Sequence, residues 1–192
     1  MIFDKEAHKI MIKDEILSGK LSSDPEDIST YIDKTASDVV KYLVEHGIKI
    51  AVAESCTGGI LAGAITSVPG ASEIFECGIV SYSERIKSQL LGLPMELIDD
   101  CGVVSETVAL AMAQGVRLVS HADIGVGITG IAGPTGGSKE QPVGTVYVSV
   151  IYKEQSFTQN LRLYELGELS RRQIRLITCA YALEAICDAV KG

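Results

Sequence analysis

The sequence predicts an α/β domain over residues 37–192, preceded by a helical extension over residues 1–36. Three observations carry this reading. Apolar runs of strand length alternate with segments of helical periodicity, two of those strands run straight into glycine-rich turns, and the first 47 residues hold only Gly19 and Gly47. At 192 residues the chain fits one domain. It is also long enough to bury a core without disulfides or metals.

The elements follow in order. Residues 2–17 mix apolar and charged positions at helical spacing, with Phe3, Ala7, Ile10 and Ile16-Leu17 as the apolar stripe. A second helix starts at Ser23 or Asp24, which can cap free amides. Pro25 suits its first turn, Glu26 and Asp27 favour the positive end of the dipole, and Gly47 stops it after His46. Such amphipathic helices must bury their stripe on their own domain or across a homodimer. Residues 48–53 read as a buried strand and enter Glu54-Ser55-Cys56-Thr57-Gly58-Gly59. An apolar helix from Ile60 to Val68 follows and ends at Pro69-Gly70. A strand from Gly78 to Tyr82 leads into a short helix at residues 83–87. Ser105 caps another, with Val108, Met112 and Val116 one turn apart. Ile124–Thr129 is a third strand, opening into the irregular run 130–138. Val143–Tyr152 and Ser156–Leu163 form a hairpin about Lys153-Glu154-Gln155, and a final helix spans Leu169 to Val190.

Composition excludes several function classes. Seventeen Lys and Arg against 25 Asp and Glu give a net charge of −8, which argues against nucleic-acid or anionic-membrane binding. An anionic substrate would need local cations to overcome that field. Charges spread through the first twenty residues do not fit a signal peptide. No apolar run approaches the roughly 20 residues of a membrane span. Five scattered cysteines without a CxxC pair, and three distant histidines, suggest neither a disulfide framework nor a metal site. The expectation is a cytoplasmic protein without metal or cofactor. Glycine is in surplus, at 19 residues.

Chemistry is expected at the two glycine-rich loops, 54–59 and 129–138. Ligands of open α/β sheets bind beyond the carboxyl ends of strands, and glycine lets backbone amides approach an anion or oxyanion. Ser55 is the candidate nucleophile. The alternative is that Ser55 or Thr57 merely caps the following helix. Cys56 is the rival nucleophile, or else a small buried residue. With no histidine in these loops, a lysine or tyrosine base is needed, and Tyr82 and Lys87 are the candidates. Arg171, Arg172 and Arg175 form either a solvated surface or a phosphate clamp.

These residues fall into long motifs: Ala53 to Gly59, Val68 to Ser72, Val80 to Ser83 with Lys87, Gly102 to Glu106, Thr129 to Pro134 with Gly136-Gly137, and Lys139 to Val146. In order and spacing, over about residues 37–190, they resemble the C-terminal domain family of the competence-damage-inducible protein CinA. Enzymatic members of that family are nicotinamide-nucleotide amidohydrolases. The resemblance implies a three-layer α/β/α sandwich with a mixed central sheet. It implies hydrolysis of nicotinamide mononucleotide to nicotinate mononucleotide and ammonia in pyridine-nucleotide recycling; separately, the N-terminal helices lead to the expectation of a homo-oligomer. It carries over Ser55 as nucleophile and Tyr82 with Lys87 as the base and proton-transfer pair. Glu54, Cys56, Thr57, Gly58, Gly59, Thr129, Gly130, Gly133, Gly136, Gly137, Arg171 and Arg175 follow as substrate contacts. Lys87 must then be neutral, through burial or a neighbouring cation such as Arg85. A binding module without catalysis, and an amidase for another small amide, are the rival readings.

Overall fold

The computed structural model describes residues 11–191. Its centre is β1 (Ile50–Glu54), buried along its whole length. β2 (Phe75–Val80) and β3 (Ile124–Gly130) lie parallel on either side of it. β4 (Val146–Tyr152) and β5 (Gln155–Asn160) complete a mixed five-stranded sheet of order β2-β1-β3-β4-β5.

Strand alternation divides the core into two. Ile50, Val52, Val126 and Ile128 face one way, toward α1 (Met11–Leu17), α2 (Pro25–His46), α3 (Ile60–Thr66) and α7 (Arg171–Lys191). Ala51 and Ala53 face the other way, toward α4 (Glu84–Leu91), α5 (Met95–Cys101) and α6 (Glu106–Ser120). The expected three-layer sandwich with a mixed sheet is therefore present.

On β3 the α6 side of the alternation is glycine. A Cβ on Gly125 would lie 2.2 Å from the Ala113 carbonyl oxygen, and one on Gly127 2.1 Å from that of Ala109. These two glycines let α6 rest on the backbone of the sheet, so part of the glycine surplus serves packing rather than the loops.

The helix ends follow the local chemistry. Asp24 accepts the Glu26 amide at 2.9 Å, Pro25 opens α2, and Gly47, at φ 62°, closes it. Ser83 and Ser105 cap α4 and α6. The helix α2 runs unbroken through residues 36 and 37. Its Ile28, Ile32, Ala36 and Val39 join the same core as β1.

The N-terminal helices lie on their own domain. Lys13 donates to the carbonyls of Leu161 (3.2 Å) and Arg162 (3.4 Å), and Tyr31 donates to Glu184 of α7 at 2.6 Å. Phe3, Ala7 and Ile10 of the expected stripe lie outside the described residues. Within α1, Ile12 and Lys13 are buried, while Leu17 is 59% exposed.

Other expectations shift. β2 spans Phe75–Val80 rather than residues 78–82, which leaves Tyr82 beyond the strand. α5 was not anticipated. β4 starts at Val146 and α7 at Arg171. Among the described residues no helix is long and apolar enough to cross a membrane.

Candidate active site

The loop 55–59 leaves β1 at the carboxyl end of the sheet. Ser55 donates its amide to Ile128 O at 3.0 Å and so extends the ladder by one rung. The cap of α3 is Glu54, not Ser55 or Thr57. Glu54 is fully buried. Its Oε2 accepts the amides of Gly59 (2.9 Å) and Leu61 (3.2 Å), and its Oε1 that of Ala62 (2.8 Å). A carboxylate is the favoured group at a helix N-terminus. Gly58 and Gly59, at φ 62° and 93°, make the tight turn that brings those amides round to it. The Ser55 hydroxyl is thereby free for another partner.

That partner is Lys87. On α4 it shares a face with Leu91, one turn on, and this face packs toward the sheet. Lys87 is wholly buried. Its Nζ lies 3.1 Å from Ser55 Oγ and 2.7 Å from Ser81 O. Burial holds its pKa below that of an ordinary lysine, against smaller opposing pulls from Cys56 and Glu84. Arg85 does not supply that effect, since its guanidinium binds Gln89 Oε1 (2.6 Å) on the exposed side of α4.

Cys56 is 5% exposed, and burial pushes its thiol up to about 12, so it stays protonated and is a poor nucleophile.

Ser55, Cys56 and Tyr82 line a cavity of about 250 Å³. Thr129, Gly130, Gly133 and Gly136 line it too. Val103 and Val104, the segment before α6, close one end. They are held there by Thr129 Oγ1, which donates to Val103 O at 2.7 Å, and by Gln141 Nε2, which donates to Val104 O at 3.0 Å. Arg171, at the start of α7, stands over the rim. Its Nη1 donates to Gly133 O (2.7 Å) and its Nη2 to the hydroxyl of Tyr82 (2.6 Å). Tyr82 is 60% exposed. Of the base and proton-transfer pair expected from the sequence, Lys87 bonds to Ser55, and Tyr82 lines the same cavity as Ser55 and bonds to Arg171.

The remaining expected substrate contacts do not line the cavity. Glu54 is the α3 cap. Thr57 is fully buried, and its carbonyl accepts Arg175 Nε (3.1 Å) and Nη2 (2.7 Å). Arg175 therefore clamps the serine loop from behind, close against Gly58, where an added Cβ would sit 3.1 Å from Nη2. Gly59 opens α3. Gly137 packs against Val143, whose amide nitrogen would be 2.7 Å from an added Cβ. Arg172 is exposed, with Glu26 at 3.5 Å. Sequence reasoning missed Val103, Val104 and Ser81 as parts of the site. Strand alternation was the signal that could have found Ser81.

A buried amine hydrogen-bonded to a serine hydroxyl that lines a cavity is an arrangement that could serve as a nucleophile with its base. A putative competence-damage inducible protein of Caldanaerobacter subterraneus subsp. tengcongensis is 42% identical over 154 residues, which are 80% of this chain and 36% of that protein. A CinA-like protein of Synechococcus sp. is 49% identical over 122 residues, 64% of this chain and 29% of that protein. The chain thus spans about a third of the length of these curated relatives. The crystal structure of competence/damage inducible protein CihA from Agrobacterium tumefaciens superposes with a TM-score of 0.80 at 36% identity. The match covers 84% of this chain and 96% of that one. Residues 32–190 match the CinA C-terminal domain, and the chain belongs to that family.

Proposed function

We propose that the chain hydrolyses the carboxamide of nicotinamide mononucleotide, giving nicotinate mononucleotide and ammonia. The observation that carries this reading is the wholly buried Lys87 Nζ, 3.1 Å from the Oγ of Ser55, which lines the cavity. Neutral Lys87 takes the Ser55 proton as Oγ attacks the carboxamide carbon. The proton then passes to the leaving nitrogen, ammonia departs, and water opens the acyl-enzyme to the carboxylate. The amides of Ser55, Gly58 and Gly59 are already bonded, to Ile128 O, Ser55 O and Glu54. The amides of Cys56 and Thr57 are directed at the Cys56 sulfur, a weak acceptor that a developing oxyanion displaces, and they serve as the oxyanion donors of this loop.

Arg171, with Tyr82, takes the phosphate at the rim, by exchanging the neutral oxygens of Gly133 and Tyr82 for a charged one. A cavity of about 250 Å³ holds the ring and its amide and leaves ribose and phosphate at the mouth. The same volume lies below the roughly 300–1,000 Å³ of usual ligand pockets, which favours a small free amide as the second reading. Ammonia release from the mononucleotide and from a panel of small amides separates the two. Ser55→Ala and Lys87→Met abolish turnover under this proposal, and Arg171→Ala raises KM for the mononucleotide alone. Undiminished activity in the Ser55→Ala protein would sink the assignment.

A further inference from the structure

We infer that the Ser81 hydroxyl is a positioning residue for Lys87, accepting the third hydrogen of the ammonium formed when Lys87 takes the Ser55 proton. This rests on the reading of Ser55 and Lys87 as nucleophile and base. The argument starts from donors and acceptors. A neutral lysine amine has two hydrogens and a lone pair, and an ammonium has three hydrogens. At Lys87, Ser81 O takes one hydrogen at 2.7 Å, and the side toward Ser55 Oγ, at 3.1 Å, carries the transferred proton. One hydrogen is left over in either state. Lys87 is wholly buried, so bulk water does not reach it.

A spare acceptor belongs to the residue whose carbonyl already holds the amine. Ser81 is also fully buried, and its Oγ has no hydrogen-bond partner among the described residues. A buried hydroxyl left in that state is costly, and calls for an explanation. Alternation places it. Ala51 and Ala53 of β1 face α4–α6, and so Ser55, two residues on, faces that side too. On β2, Cys77 and Ile79 face the same side, and Ser81 continues their row, held in register by its amide on Glu54 O at 2.8 Å. Ser55, Ser81 and Lys87 thus meet on one face of the sheet. Rotation about the Ser81 Cα–Cβ bond sweeps the hydroxyl toward the amine that the carbonyl of the same residue already holds. A hydrogen bond to a charged nitrogen is stronger than one to a neutral nitrogen, so Ser81 favours the protonated base and hence the step that forms it.

The test is Ser81→Ala, with the titration of Lys87 read by NMR of lysine-labelled protein and assigned with Lys87→Met. Losing an acceptor that favours the charged form lowers the Lys87 pKa, by roughly one to two pH units for a charge-assisted bond. The kcat for ammonia release falls about 10- to 100-fold with KM little changed. Tm does not fall, because the variant loses an unpartnered buried hydroxyl. Ser81→Thr, which keeps the hydroxyl, restores the Lys87 titration. An unchanged Lys87 titration in Ser81→Ala overturns the inference, and a lowered Tm with that result makes Ser81 purely structural. The titration needs no turnover. If the wild type releases no ammonia, the deamidation reading fails while the coupling of Ser81 to Lys87 is still decided.

Discussion

Glu54→Gln separates a scaffold role from a substrate contact. Glu54 binds three amides with two oxygens: Gly59 and Leu61 on Oε2, and Ala62 on Oε1. Glutamine keeps one acceptor and puts an NH₂ group at the other position. With its oxygen in place of Oε2 it loses the Ala62 bond; turned the other way it loses two. Either way a donor faces a helix amide inside a fully buried site. A hydrogen bond to a charged group contributes about 1.5–3 kcal/mol, and the favourable charge–dipole interaction adds up to about 1 kcal/mol. The expected loss is about 2–4 kcal/mol out of the roughly 5–15 kcal/mol that hold a domain together. Urea unfolding followed by circular dichroism measures it. In parallel, ammonia release is expected to show a lower kcat, as the adjoining Ser55 loosens, with KM near the wild-type value. A variant with wild-type unfolding free energy and a KM raised about tenfold or more would refute the reasoning, since about 1.4 kcal/mol of lost binding would then lie with the substrate.

Two further predictions concern the frame around the site. Gly127→Ala forces a Cβ to within 2.1 Å of the Ala109 carbonyl, a backbone atom that can yield only if α6 moves. The expected cost is about 3 kcal/mol or more in urea unfolding, whereas Gly63→Ala, in helix α3 with open space around it, stabilises by roughly 0.5–1 kcal/mol. Glu184 is 3% exposed, and burial raises its carboxyl from 4.5 to about 7, beside the Tyr31 hydroxyl. The folded state then holds a proton that the unfolded state releases, so this contribution is fully present below about pH 4.5 and is lost as pH rises through about 7. Melting curves at pH 5 and pH 8 should show that decline in the wild type and a flatter profile in Glu184→Gln, once other groups are matched.

Much of the fold was legible because the central strands are buried on both faces and read as continuous apolar runs. What was not legible follows from weaker burial. β2 is an edge strand with half-buried and exposed residues in alternation, Glu76 among them, so its first three residues did not read as strand. α5 buries one residue, Ile98, and carries Asp99 and Asp100 on a seven-residue span, too little periodicity to detect. The glycines divide into two kinds that composition cannot distinguish. Gly58, Gly59 and Gly133 are needed for positive φ. Gly125 and Gly127 have ordinary strand conformations and are needed only because a helix lies against them, which is a tertiary fact.

The site shows the same division. Ser55 and Lys87 were legible as residue types at the end of β1 and on the helix after β2, but the cap that releases Ser55 comes from the residue before it, reaching forward over the turn to Ala62. Arg171 and Arg175 sit one helical turn apart and invited a single role, yet their surroundings give them different ones. Arg175 is spent on Thr57 O. Arg171 bonds only to neutral acceptors, Gly133 O and the Tyr82 hydroxyl, and among the described residues it has no carboxylate partner, whereas Arg162 has Glu165 and Arg172 has Glu26. In a chain of net charge −8, an arginine held in place by neutral oxygens keeps its charge uncompensated at the mouth of the cavity. A phosphate arriving there replaces a neutral acceptor with a charged one and needs no ion pair to be broken first. The acidic composition therefore does not disfavour an anionic substrate at this mouth; what decides is where the carboxylates are not.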